Sequence, residues 1–468
     1  MARSIRPLIV VLCVFAATTG FAQEETAEER LQRLEKQLAE QRAINEQQRI
    51  LLEEMQAELA RLRFESAGPA TAAEFEDTAE TAEVEAEAEE TVVRGLSLEI
   101  SGWMNLDTIY DFDRVAPDYE ETLVPTTIPT VPGLYGSDGN FIFSVKQSKL
   151  SFVSEGDTPL GHVLGWFEFD LFGTGSNAGQ TTFNLRHAWI ELGRFGAGQT
   201  WSTFMDISTW PNVFDWWGPS AMALNRNAQL RYTVPYGDRG SHFAVALEKQ
   251  NGSFNVGILD ELAPSLAEDL TPKTEFPDLI LRWRTEHDWG HFQIAGVARH
   301  LAWETLDSPD NRPKDHTFGW GFNLTGILNT TERDRLKLGL TFGEGIASFI
   351  NDGGGSNLAP VFLAPGADVV AQKSIGFLAY YDHYWSDKWS SAVGMSHNDI
   401  SLTNLQLTDQ PKNVTYASTN LFFTHSPFFI AGIEALYGRL ENADGSTGRD
   451  FRLQLTTRYI FAHTVFAR

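Results

Sequence analysis

Basic side chains recur on one face of alternating runs in this chain. Lys149 lies in Gln147-Ser148-Lys149-Leu150-Ser151-Phe152, Arg186 in Leu185-Arg186-His187-Ala188-Trp189-Ile190-Glu191-Leu192, and Arg231 in Asn227-Ala228-Gln229-Leu230-Arg231-Tyr232-Thr233-Val234. The same alternation places Arg282, Arg284, Arg299, Arg335, Lys337, Arg452 and Arg458 on the polar face of their runs. Fixed cations on a low-dielectric wall focus the field and concentrate anions beside it, which requires no covalent step. Between the second and third runs the chain supplies Asp206 and Asp215, with Trp201, Trp210, Trp216 and Trp217 nearby. Opposed charges across a narrow opening would orient a polar solute while the rings touch its apolar part. The competing reading is that the cations pair with carboxylates of the same face, such as Glu168, Asp170, Asp382 and Glu434, and only hold a wall together. No Ser-His-Asp order stands out, and the 11 His show no metal-ligand spacing. His187 and His383 read as membrane-interface or subunit-contact residues. An enzyme, a metal site and a cofactor are therefore not expected.

What must position these residues is a set of strands, because from Gly95 onward the hydrophobic period is two. Leu336, Leu338, Leu340 and Phe342 oppose Arg335, Lys337, Gly339 and Thr341, and Phe451, Leu453 and Leu455 oppose Arg452, Gln454 and Thr456. Apolar on one face and polar on the other, in segments of about ten residues, is the pattern of a transmembrane β-barrel with a polar lumen. The connections support it by alternating in length. Short turns are expected at 155–161, 193–196, 235–240, 286–290, 329–333, 386–388 and 425–427. Long ones fall near 113–139, 173–180, 203–224, 251–277, 303–315, 348–371, 402–411 and 442–447. Seven turns and eight loops join 16 antiparallel strands and leave both termini on the short-turn side. The connection at about 203–224 is long and aromatic, and structureless loops of that size are usually functional or disordered. It is expected to fold into the barrel, which spans 95–468, and to narrow it. Glycine-rich Asn351-Asp352-Gly353-Gly354 reads as part of an external loop.

The N-terminal segments are of another kind. Residues 1–22 carry Arg3 and Arg6, an apolar run from Leu8 to Ala17, and Gly20-Phe21-Ala22, the pattern of a secretory signal. The single cysteine, Cys13, lies inside that run, so the exported chain has no disulfide to form. Residues 23–65 carry an α-helical coiled-coil seam of Leu31, Leu38, Asn45, Leu52 and Leu59 with Leu34, Met55 and Leu62. Gln41, Asn45 and Gln48 make its centre polar, and the heptads do not choose between two and three helices. Residues 66–94, rich in Glu among Ala and Thr, read as an acidic flexible linker that repels itself and extends. No later apolar run reaches about 18 residues, so no membrane-spanning helix is expected. The net charge is −26, and residues 95–468 alone hold 42 acidic against 26 basic side chains. Neither part has the basic balance of a nucleic-acid binder.

Two stretches carry a family likeness. Gln199-Thr200-Trp201-Ser202-Thr203-Phe204-Met205-Asp206, with Trp217-Gly218-Pro219 and Gln229-Leu230-Arg231-Tyr232 behind it, is similar to the DcaP-like outer-membrane porins. So is the late run from Gly432-Ile433-Glu434 through Tyr437-Gly438-Arg439 to Asp444-Gly445. The resemblance implies a homotrimeric 16-stranded porin in the outer membrane of a Gram-negative bacterium, with its coiled coil in the periplasm. It also implies uptake of dicarboxylic and other small anionic acids. Lys149, Arg186 and Arg231 occupy strand contexts that resemble the basic ladder of general trimeric porins, with Lys at one position where Arg is usual. The chain ends Phe466-Ala467-Arg468, whereas barrels of that kind commonly end on an aromatic residue.

The reading taken forward is a diffusion porin for small anionic, dicarboxylate-type solutes, embedded in outer-membrane lipid. Two alternatives stay open. One is a carbohydrate-type porin in which the tryptophans carry recognition. The other is a structural envelope protein whose coiled coil contacts the periplasm or cell wall and tethers the outer membrane to it.

Overall fold

The computed structural model describes residues 94–173, 180–262, 264–360 and 369–467. The expected signal, coiled coil and nearly all of the linker lie outside the described residues. The alternation predicted for the remainder is realised as sixteen antiparallel strands closed into a barrel. They are β1 (Arg94–Asp111), β2 (Lys149–Thr158), β3 (Gly161–Asp170), β4 (Asn184–Leu192), β5 (Phe195–Trp201), β6 (Arg226–Pro235), β7 (His242–Glu248) and β8 (Asp278–His287). The second half comprises β9 (Gly290–Thr305), β10 (Asp315–Asn329), β11 (Arg335–Glu344), β12 (Lys373–Tyr384), β13 (Trp389–Ser401), β14 (Pro411–Ser426), β15 (Phe429–Asn442) and β16 (Thr447–Ala467). Neighbours in sequence are neighbours in the sheet, and β16 closes on β1 from Ser97↔Ala467 to Asp111↔Arg452. Closure removes the unpaired edges that cannot be tolerated in lipid. Two short segments are interrupted continuations: Asn140–Ser144 extends the line of β2 along β1, and Leu270–Lys273 extends β8 along β9. Residues 253–259 form no barrel strand, so the even count stands.

Every expected short turn joins a strand pair at one end of the barrel, and the eight long connections lie at the other. The outward face is apolar as the period-two pattern requires: Leu281, Leu338 and Ile433 are exposed, while Arg452 and Thr341 opposite such residues are buried. What the alternation does not show is how fully one half of the interior is occupied. Phe204, Met205, Ile346 and Phe349 from the long connections pack with Ile280, Ala295 and Val297 of β8 and β9. Val115, Leu123, Ile128 and Met222 pack in the same way against Leu378, Tyr380, Val414, Tyr416 and Leu436 of β12 to β15. Burying each such large side chain stabilises the loops by about 1.5–3 kcal/mol. The β8–β15 half of the barrel is therefore a packed core, and the free lumen is displaced toward β1–β6.

A buried carboxyl marks where three of these connections meet. Asp352 accepts hydrogen bonds from the Thr126 amide and hydroxyl, and its own amide donates to the Ser220 carbonyl at 2.8 Å. Burial pushes the Asp352 carboxyl up to about 6, against the lowering effect of the two Thr126 donors. Its folded pKa lies above the unfolded value of 3.8, so its contribution to stability is full in acid and is lost as pH rises through about 6. Hydrogen exchange at the Thr126 amide, corrected for intrinsic rates, is expected to speed up across that window. Asp352→Asn should abolish this pH dependence; an unchanged profile in the variant would contradict the assignment.

Candidate functional site: a lumen between a cationic wall and an aromatic loop

The connection from Thr203 to Asn225 starts at the top of β5 and crosses the barrel on a series of struts. Thr203 donates its amide to Glu248 at 2.6 Å. Asp206 then accepts from Arg284 at 2.8 Å and from Thr325 at 2.9 Å, and is hydrogen-bonded to His291 at 2.7 Å. It also caps the turn Ile207–Thr209 by accepting from the Ser208 amide, as short polar residues do at helix starts. Farther on, Lys337 donates to the Trp210 carbonyl, and Glu434 accepts from the amides of Phe214 and Asp215 at 2.6 and 2.9 Å. Asp215 accepts from Thr122, Leu123, Gly218 and Tyr416. Gly218 has φ +71°, and a Cβ there would lie 2.6 Å from the Trp210 ring, so the turn needs glycine both for its backbone and for that ring's approach.

Against the expectation of an acidic loop facing the pore, both Asp206 and Asp215 are buried and spent on these internal bonds. The loop presents aromatic rings instead. Trp210, Phe214, Trp216 and Trp217 line a cavity of about 600 Å³ whose opposite wall is built by β1 to β6 and β16. Trp216 reaches across, donating to Asp170 at 3.0 Å and stacking on Phe172 with centroids 4.0 Å apart. The loop thereby touches the basic wall.

That wall carries Lys149, Arg186, Arg226 and Arg458, with Asp170 lining the same cavity and Glu168 directly behind it. Lys149 pairs with Glu168 at 2.9 Å, and Arg186 bridges Glu168 and Asp170 at 2.8 Å each. Arg186 reaches this position through a β-bulge. The β3–β4 register shifts between Glu168 and Phe169, so that Leu185 faces Phe169 and His187 faces Glu168 with Arg186 as the extra residue. A bulge re-aims a side chain, and here two consecutive residues are turned toward the lumen. His187 is consequently not a membrane-interface or subunit-contact residue. It is fully buried, stacked on Trp166 at 3.6 Å and hydrogen-bonded to Thr200. His383 sits at the short-turn end, hydrogen-bonded to Asp334. The Tyr384 amide and the His383 and Tyr381 side chains hold the Asp334 carboxyl down at about 2.

The remaining cations divide among three places. Arg231, Arg282 and Arg284 border a second cavity of about 350 Å³, which shares Trp201 and Ile207 with the first. Arg231 is 3.8 Å from Glu191 and lies over Trp189, so it is not in one cluster with Lys149 and Arg186. Arg299, Lys337 and Arg452 are buried and do not line an open pore. Arg299 pairs with Asp278 at 3.0 Å and donates to the Asn251 and Gly345 carbonyls; Lys337 pairs with Asp382 at 2.7 Å; Arg452 pairs with Asp111 at 2.6 Å. Arg299 and Lys337 project inward into the half that the loops fill, and Arg452, on β16, lies under the connection after β1, donating to its Glu120 carbonyl. Arg335 lies at the short-turn rim, donating to the Thr331, Glu332 and Asp334 carbonyls. Arg226 escaped the sequence reading because Asn227, Gln229 and Arg231 alternate inward, which by parity puts Arg226 outside. It is the first residue of β6, where the strand leaves the loop, and it lines the cavity.

A closed sixteen-stranded barrel with a polar lumen narrowed by an inserted connection is the architecture of an outer-membrane porin. Residues 96–267 of the chain match the family described as DcaP outer membrane protein. Among solved structures it is similar to the outer membrane channel DcaP of Acinetobacter baumannii, with a TM-score of 0.65 at 16% identity, covering 78% of this chain and 98% of that one. It is also similar to an anion-selective porin from Comamonas acidovorans, with a TM-score of 0.50 at 10% identity, covering 78% and 100%. No curated protein matches the chain.

Proposed function

We propose that this porin is a diffusion channel for small anionic solutes, with dicarboxylates as the solute class. The observation that carries the reading is the composition of the cavity wall. Four cations, Lys149, Arg186, Arg226 and Arg458, stand there against the two carboxylates Glu168 and Asp170. An uncompensated positive wall in a confined, low-dielectric passage raises the local concentration of anions. The opposite wall of Trp210, Phe214, Trp216 and Trp217 accepts the apolar part of such a solute. Selectivity then comes from width and field, with no chemical step. The solute class is the one implied by the sequence resemblance to DcaP-like porins, and the rest of the reading goes with it: a homotrimer in outer-membrane lipid, with the N-terminal coiled coil in the periplasm and available to contact periplasmic or cell-wall partners.

One observation favours a second reading, a carbohydrate-type porin. Trp103 and Trp201 lie on the cationic wall and face the loop tryptophans across the same cavity, so a sugar ring could stack on either side. The two readings separate in a planar bilayer across a potassium chloride gradient. The parent is expected to show a reversal potential of anion preference, and the combined change Lys149→Gln, Arg186→Gln and Arg231→Gln should abolish or invert it, because Glu168, Asp170 and Glu191 lose their partners. Cation preference in the parent would overturn the anion reading, and saturable block by sugars without charge preference would establish the second.

A further inference from the structure

The cations of the cavity wall are not equivalent, and their partners show which of them a solute meets with its charge intact. Lys149 and Arg186 already hold carboxylates at 2.8–2.9 Å. A charge-assisted pair of that length leaves little field for a passing anion. Arg226 and Arg458 make no ion pair among the described residues. Arg226 lies over Trp201, its guanidinium carbon 4.7 Å from the ring centroid, and its Nη1 is buried without an acceptor. Arg458 lies over Trp103, also at 4.7 Å, and donates only to the neutral oxygens of Asn105 at 2.9 Å and Gln147 at 3.1 Å.

Both guanidiniums thus lie over the face of an indole. A ring beneath the group restricts where it can move, and the N–H groups not already donating remain for a carboxylate, which a guanidinium binds with two prongs. Leaving a half-buried guanidinium short of partners costs free energy, and an arrangement that does so twice in one cavity has a use for the charge. The two stand on opposite sides of the Lys149–Glu168–Arg186–Asp170 network, on β16 and β6, so the neutralised network separates two charged stations.

We infer that Arg226 and Arg458 are the specificity-determining residues of the channel, a pair of indole-backed guanidinium stations that take the carboxylates of the solute, while Lys149 and Arg186 position the wall. This rests on the anion-channel reading and says which residues execute it.

The test compares the parent with Arg226→Gln/Arg458→Gln and Arg226→Lys/Arg458→Lys in planar bilayers, with folding checked by heat-dependent gel mobility and with sodium succinate as the carboxylate probe. The glutamine pair is expected to move the chloride-to-potassium permeability ratio at least about threefold toward unity, since it removes both unpaired charges. The lysine pair should keep the ratio but weaken the succinate block, because an ammonium cannot make the in-plane, two-pronged contact. A glutamine pair that retains the parent's ratio overturns the inference and leaves the anion-channel reading standing. A parent without anion preference overturns both. Should the double glutamine variant fail to fold, the single changes decide: each must lower the ratio, and no change in either single variant sinks the proposal.

Discussion

Replacing Asp206 by Ala is expected to destabilise the barrel by about 3–5 kcal/mol, the range seen when one partner of a buried ion pair is removed, and to raise the channel conductance with added current noise. Asp206 follows Thr203 as a strut of the constriction loop, and its carboxylate is held by Arg284, His291, Thr325 and Ser208 at once. Without it Arg284 keeps Glu286 and the Ser208 hydroxyl, while His291 and Thr325 lose an acceptor inside the packed half of the barrel. Phe204 and Met205, immediately before it, are buried in the cluster against β8 and β9, so the start of the loop stays seated while the turn at Ile207–Thr209 is released. That turn lies between the two cavities, since Ile207 borders both. Its release widens the passage where the compartments meet. The checks are single-channel conductance and the temperature at which the folded band disappears on gels. A variant matching the parent in both would show that the remaining struts hold the loop alone, and that Asp206 is dispensable.

The second large effect is expected at Arg452. This fully buried side chain joins Asp111 at 2.6 Å and Asp450 at 3.3 Å, and donates to the Glu120 carbonyl at 3.2 Å. Arg452 and Asp111 are also register partners at the long-loop end of the β16–β1 seam. Arg452→Met keeps an unbranched apolar stem but leaves two carboxylates facing each other without a cation. The expected loss is about 3–5 kcal/mol, together with loosening of the connection after β1 that carries Glu120. Arg335→Gln is the natural comparison. Among the described residues Arg335 bonds only carbonyls at the exposed rim of a turn, and its replacement should change stability by no more than about 0.5 kcal/mol. Urea midpoints of the protein folded in lipid vesicles give both numbers. Equal midpoints for the two variants would mean that the buried network contributes nothing beyond a surface contact.

The contrast between these arginines measures what the chain discloses by itself. Both sit at inward positions of clean period-two runs, Arg335 opposite Leu336 and Arg452 opposite Phe451, and alternation assigns them the same role. Alternation reports which face of a strand a side chain leaves, because that is fixed by the backbone's own period. The sixteen strands, the seven turns and the inserted connection followed from this local rule together with Gly, Pro and Asp at the turns. The DcaP likeness rested on a run of residues that is itself local, from Gln199 to Asp206.

What a side chain meets after leaving the strand depends on parts of the chain tens or hundreds of residues away, and only the tertiary structure decided it. Asp206 and Asp215 carry charge in the sequence but spend it on Arg284, Thr122 and Tyr416, so the loop facing the lumen is aromatic and not acidic. Leu378, Tyr380, Val414 and Tyr416 point inward from strands whose outer faces are apolar too, because loops pack on them; a lumen assumed to be wet gives no reason to expect it. Arg186 is turned inward by a bulge, and Arg226 by lying where a strand begins, two places at which the period of two breaks. Sequence determined the wall, since the wall is built from repeating local geometry. Where the passage lies within it, and which cations remain unpaired beside it, was settled by long-range packing of the loops.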